Sequence, residues 1–121
     1  MGLEQLSNKI VIGLVERVSL THNGNRKKAV KAKIDTGATK SSIDINLANE
    51  LGLGPVITSK VIKSAHGSKM RPIIEADIEL AGIKLRSEFT LADRGHLRYV
   101  ILIGQNILKK GNLKHMVMKN L

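Results

Sequence analysis

Apolar residues alternate with polar ones along most of this chain, which is the period of strands rather than of helices. Ile10, Ile12, Leu14, Val18 and Leu20 share one parity, interrupted by Glu16, and predict a first strand. His22-Asn23-Gly24-Asn25 supplies an Asn-Gly turn, and Arg26 to Ile34 returns as its hairpin partner. Val56 to Lys63 reads as a strand, and Ala65-His66-Gly67-Ser68 as a turn into Met70, Pro72, Ile74, Ala76, Ile78 and Leu80, again of one parity. Ala81-Gly82 turns the chain into Ile83, Leu85, Ser87, Phe89 and Leu91. Val100 to Ile103 is apolar at every position, as for a strand covered on both faces. Ile45 to Leu51 suits either a short helix closing at Gly52 or Gly54, or a strand and loop. Gln105 to Lys110 suits a short helix ending at Gly111, and Leu113 to Met118 a last strand. Many short strands joined by glycine-bearing turns, with no internal repeat, predict one all-β domain over residues 1–121, a barrel or a sandwich.

Composition narrows what such a domain can do. Only Phe89 and Tyr99 are aromatic, so the core must be built from Ile, Leu, Val and Ala. With no cysteine there can be no disulfide, thiolate metal site or cysteine nucleophile. The four histidines (His22, His66, His96, His115) are scattered, and His-Glu-x-x-His is missing, so no metal and no cofactor are expected. A P-loop ending at Lys40-Ser41 would need glycines where Ile34 and Thr39 stand. Neither a signal peptide nor a membrane span fits, since the longest aliphatic run is Val100 to Ile103; the expected location is the cytoplasm. A formal charge of +10 favours an acidic partner, whether nucleic acid, a ribosome surface or an acidic peptide, or it reflects a generally basic surface.

The candidate chemistry lies in Asp35-Thr36-Gly37-Ala38, which follows directly on the strand-like run Val30 to Ile34. An acid there sits at a strand end, on a turn that a glycine can tighten and a threonine hydroxyl can brace. Downstream comes Val100-Ile101-Leu102-Ile103-Gly104-Gln105-Asn106-Ile107-Leu108. The two motifs together resemble the retropepsin family, the dimeric aspartic proteases typified by retroviral proteases. Ile12 to Glu16, Lys31 to Ala38 and Arg94 to Gly104 are similar to a retropepsin-like group often labelled "ATP-dependent zinc proteases" and linked with ATP-grasp ligases that attach glutamates to a ribosomal protein. Neither the zinc nor the ATP of that label has support in these residues.

The resemblance implies a closed β-barrel subunit with one or two short helices, working as a homodimer. Peptide hydrolysis by this route needs two carboxylates sharing one proton, and two acids about 3 Å apart cannot both ionise. The chain has a single Asp-[Thr/Ser]-Gly; Asp93-Arg94-Gly95 lacks the hydroxyl and does not follow an alternating strand. One chain therefore holds half a site, and the two Asp35 carboxylates are expected to meet on a two-fold axis. By the same resemblance Thr36 holds the two loops in register, Gly37 offers its backbone to dyad and substrate, and Ala38 forms a small subsite wall. Residues 62–71 align with the flap, with His66 and Gly67 near its tip. His66 reads as a solvent-facing turn residue rather than a ligand.

Two positions depart from the retroviral pattern. Thr39 and Gln105 stand where an acid and its arginine partner are found, and a neutral Thr39–Gln105 contact is expected in their place. Lys40 replaces a second acid. It is either a solvated loop lysine or, with Arg94 and with Lys69 or Arg71, part of a subsite for acidic residues, which fits a glutamate-rich or ribosomal substrate. Three readings follow: an aspartic endopeptidase, a narrower enzyme trimming glutamate tails by the same chemistry, and a basic RNA- or ribosome-binding β protein with an idle Asp-Thr-Gly. The last is disfavoured because the chain has no set of exposed aromatics for base stacking.

Overall fold

The longest alternating stretch becomes the backbone of the fold. In the computed structural model, which describes residues 10–22, 25–65, 67–110 and 116–118, strands β6 (Gly67–Leu80) and β7 (Ile83–Ala92) form a hairpin in the register the alternation predicts. Ala81 and Gly82 both take positive φ (52° and 81°), as a two-residue hairpin turn requires. One parity of the hairpin (Ile74, Ala76, Ile78, Leu80 and Phe89) is buried, and Phe89 is the largest fully enclosed side chain.

Around it are β1 (Ile10–Ile12), β2 (Val15–His22), β3 (Asn25–Ile34), β4 (Ser42–Asp44), helix α1 (Ile45–Leu51), β5 (Val56–Ser64), β8 (Ile101–Ile103), helix α2 (Gln105–Leu108) and β9 (Met116–Met118). Six strands pair in the order β2-β3-β8-β4-β7-β6, and β6 returns to β2 through Val18↔Leu80 to Thr21↔Asp77, which closes a barrel. Closure leaves the ring no free edge. The β3–β8 and β4–β7 pairs are parallel. The first half of β6 pairs outside the ring with β5, so the β5–β6 hairpin projects from the barrel with Val61 and Met70 exposed and opposite each other. β1 and β9 form a separate parallel pair. No helix of the described residues is long and apolar enough to cross a membrane.

Several local expectations are revised. The run from Ile10 to Leu20 is two strands: the chain breaks at Gly13, whose N–H donates to Glu16 Oε1 at 3.0 Å. The acid that interrupts the parity thus bonds back onto the break. Residues 45–51 resolve as helix because Asp44, at the end of β4, accepts from Leu47 N (3.2 Å) and Gly52 ends the helix at φ +66°. α2 is four residues, shorter than expected, and Leu102 in β8 is only half-buried. The Asn23-Gly24 turn, His66, Gly111 and residues 113–115 lie outside the described residues.

Candidate active site

Asp35 emerges where β3 leaves the barrel, and its N–H donates to Ile103 O at 2.9 Å, extending the β3–β8 ladder by one bond. The chain then turns back on the acid: Gly37 N donates to Asp35 Oδ1 (3.0 Å) and Ala38 N to Asp35 O (3.2 Å). Asp35 stays partly exposed, and Thr36 and Gly37 are exposed.

What fixes this loop is the late motif. Gln105 N donates to Ala38 O (2.8 Å), Asn106 N to Thr39 O (3.1 Å), and Gln105 Nε2 to Thr36 O (2.8 Å). The loop lies so close over Gly104 that a Cβ there would stand 2.7 Å from Lys40 C and 2.9 Å from Ala38 O. Gly104 has φ −109°, open to any residue, so space and not backbone freedom demands glycine. Below the loop Ser41 is buried; its hydroxyl accepts from Gly104 N (2.9 Å) and donates to Asn106 Oδ1 (2.7 Å). Asn106 Nδ2 in turn donates to Glu88 O at 3.0 Å. The expected Thr39–Gln105 side-chain contact does not form; the Gln105 amide reaches the Thr36 carbonyl instead. Sequence alone does not single out Ser41 or Asn106; the polar Asn106 directly after the Gly104-Gln105 motif is the signal that could have found them.

A groove of about 580 Å³ opens between the loop and the β5–β6 hairpin, lined by Gly37, Ala38, Lys40, Ile62, Lys63, Arg71 and Thr90 among others. Asp35 stands two residues before the first lining position, and no lining residue is acidic. Beside the groove is a smaller cavity of about 200 Å³, where Lys40 meets Lys60 near Glu88 and Asn106. The Lys60 charge holds the Lys40 pKa below the usual lysine range, with Glu88 acting weakly in the opposite sense. Lys60 had no place in the sequence reading because only the pairing of β5 brings it to this loop.

The structure thus gathers Asp35, Thr36, Gly37, Ala38 and Lys40 at one end of the barrel. Gly67 opens β6 at the hairpin turn, opposite Ser64, with φ +110°. His66 lies outside the described residues. Arg94 is engaged elsewhere and is absent from the groove lining. Its N–H donates to the buried carboxylate of Asp44 (2.9 Å), and its guanidinium donates to Tyr99 O at 3.1 and 3.2 Å. Burial lowers its pKa, which Asp44 partly offsets. Arg94 therefore folds the loop between β7 and β8. Among the described residues no three His, Cys, Asp or Glu side chains converge as a metal centre requires.

Comparison with solved structures places the same architecture in several proteins. A Legionella pneumophila protein of unknown function matches with TM-score 0.58 and 18% identity, over 90% of this chain and 91% of that one. The simian foamy virus protease matches with TM-score 0.56 and 21% identity, over 80% of this chain and 97% of the viral one. A foamy viral protease-reverse transcriptase matches with TM-score 0.61 and 21% identity over 79% of this chain, which spans 11% of that longer polypeptide. At such identities the likeness is one of fold. No curated protein matches the sequence. A family model described as "RimB-like: Retropepsin-like aspartic endopeptidase RimB" matches residues 46–119, a stretch that begins after the Asp35 loop and covers more than half of the chain. With that match and a barrel shared with viral proteases, the chain belongs to the RimB-like family of retropepsin-like aspartic endopeptidases.

Proposed function

We propose that the protein is an active aspartic endopeptidase assembled from two copies of this chain, each contributing Asp35. The observation that carries the reading is a partly exposed carboxylate on a loop pinned by five hydrogen bonds to β8 and the Gly104 motif (from Asp35 N, Gly104 N, Gln105 N, Gln105 Nε2 and Asn106 N), at the edge of a groove with no acid in its lining. A second acid must come from elsewhere, and a symmetric mate supplies it with the same geometry. In the dimer one Asp35 is ionised and the other protonated. The ionised carboxylate takes a proton from water as the water oxygen bonds to the scissile carbonyl carbon, and the protonated one gives its proton to the carbonyl oxygen. Collapse of the tetrahedral species breaks the C–N bond, with a proton passing to the leaving nitrogen.

In this reading the β5–β6 hairpin is the flap that closes over an extended peptide. The cations on the groove side favour acidic residues beside the scissile bond: Lys40 and Arg71, expected there from sequence, are joined by Lys60 and Lys63, while Arg94 is bonded to Asp44 and Tyr99. The test is a peptide-library digest at acidic and neutral pH with the parent and with Asp35→Asn. Cleavage by the parent alone, enriched at Glu- and Asp-containing sites, is expected. Equal cleavage by both proteins would remove Asp35 from the chemistry, and indifference to acidic residues would remove the cationic subsite.

A further inference from the structure

The charge of this protein is not spread evenly. Residues 17–34 contain six of the twenty Lys and Arg and no Asp or Glu, so this segment carries +6 of the formal +10. It forms the β2–β3 pair, which places Arg17 directly opposite Lys31, with Lys33 next along the same outward face. Arg17, Lys31 and Lys33 share this face (Lys28, opposite the buried Leu20, is of the other parity), and among the described residues none of the three has an acidic partner within ion-pair distance. Of the acids on the neighbouring strand, Glu75 and Asp77 are paired with Arg86, and Glu79 stands opposite Lys84. Glu79 and Asp77 stand opposite Ser19 and Thr21, further along β2 than Arg17. Like charges directly opposite on a sheet destabilise it. An arrangement that accepts this cost, with no ion-pairing acid for these cations among the described residues, matches an external polyanion.

We propose that the outer face of the β2–β3 pair is a docking surface for the phosphate backbone of structured RNA. Phosphate contacts position a nucleic acid without reading its sequence, which suits Lys and Arg on a rigid ribbon. On either side of Arg17 and Lys31 this face carries Ser19 with Ala29 and the half-exposed Val15 with Lys33, so three cations stand together with one valine among them. Protein interfaces draw on clusters of aromatic or long aliphatic anchors, and this face offers the single small valine Val15. The only two aromatics of the chain, Phe89 and Tyr99, lie outside it, so single-strand stacking is not its mode. This surface is independent of the peptidase reading.

The experiment measures anisotropy of a fluorescent RNA duplex titrated with full-length protein at several salt concentrations, with a poly-glutamate peptide as the alternative ligand. The parent binds the duplex, with log K falling steeply against log salt. Combining Arg17→Gln, Lys31→Gln and Lys33→Gln lowers that slope by about three units, at about one per lost contact. Lys31→Arg with Lys33→Arg retains binding, and peptidase activity is unchanged in both. A control of equal charge loss, Lys84→Gln, Arg98→Gln and Lys109→Gln, leaves the slope intact. The proposal is overturned if the parent ignores the duplex near physiological salt, or if the control weakens binding as much as the hairpin variant. It is equally overturned if poly-glutamate alone binds in a hairpin-dependent way, which would assign the face to an acidic protein.

Discussion

Gly104→Ala isolates the contact on which the Asp35 loop depends. The added methyl would sit 2.7 Å from Lys40 C and 2.9 Å from Ala38 O, closer still to the Lys40 carbonyl oxygen, and all three are backbone atoms. Real Cβ atoms essentially never come within 3.0 Å of such neighbours, so the loop must lift. Overpacking of this kind costs about 1–3 kcal/mol. Lifting the loop also strains the bonds from Gly104 N, Gln105 N and Asn106 N, each worth about 1 kcal/mol net. The expected loss is therefore about 3–5 kcal/mol, against a total of roughly 5–15 kcal/mol for a domain. In a thermal scan this is a fall of about 10–20 °C. Gly52→Ala is the control. Gly52 has φ +66° and nothing within 4 Å of where a methyl would stand, so its cost is conformational only, about 1–2 kcal/mol. Urea unfolding of both variants gives the comparison. A Gly104→Ala protein as stable as Gly52→Ala would refute the claim that close approach, and not local conformation, selects glycine at this position.

Asp44→Ala removes the α1 cap and the acceptor of Arg94 N–H, and should cost about 2–4 kcal/mol in urea unfolding. Lys60→Gln relieves the repulsion on Lys40. Because the folded-state pKa of Lys40 is lowered, the unfolded chain holds more protons in the alkaline range, and parent stability gains with rising pH there. The variant should therefore be the more stable at neutral pH, the advantage should vanish at strongly alkaline pH, and selectivity for acidic peptides should fall. Gln105→Ala frees the Thr36 carbonyl, and should lower peptidase activity with a loss of stability of about 1 kcal/mol, read by kinetics alongside denaturation.

Much of the barrel could be read from periodicity because β7 and the half of β6 that lies in the barrel keep one buried face, and a strand with one wet face advertises itself. Where both faces are partly covered the pattern says less: β8 shows an unbroken apolar run, yet Leu102 is half-exposed. The Gly13 break escaped notice because Ile12 and Leu14 keep the parity across it. α1 was ambiguous since its cap, Asp44, doubles as the last residue of a strand. For the site, the loop around Asp35 was legible as a local turn. Its supports were not, because Ser41 and Asn106 are 65 residues apart and meet only through the β4–β8 pairing. Arg94 shows the opposite case: a cation near a motif suggests substrate, whereas its N–H and guanidinium are bonded to a buried acid, Asp44, and to the Tyr99 carbonyl.

In the proposed enzyme two Asp35 carboxylates act as one catalytic unit. Mixing the parent with increasing amounts of Asp35→Asn, at fixed parent concentration, tests this directly in a peptidase assay. Exchange of subunits should drive parent chains into inactive mixed dimers, so activity should fall steeply as Asp35→Asn comes into excess. Activity that stays constant whatever the excess, and that scales linearly with parent concentration down to high dilution, would mean that a single chain carries the whole site.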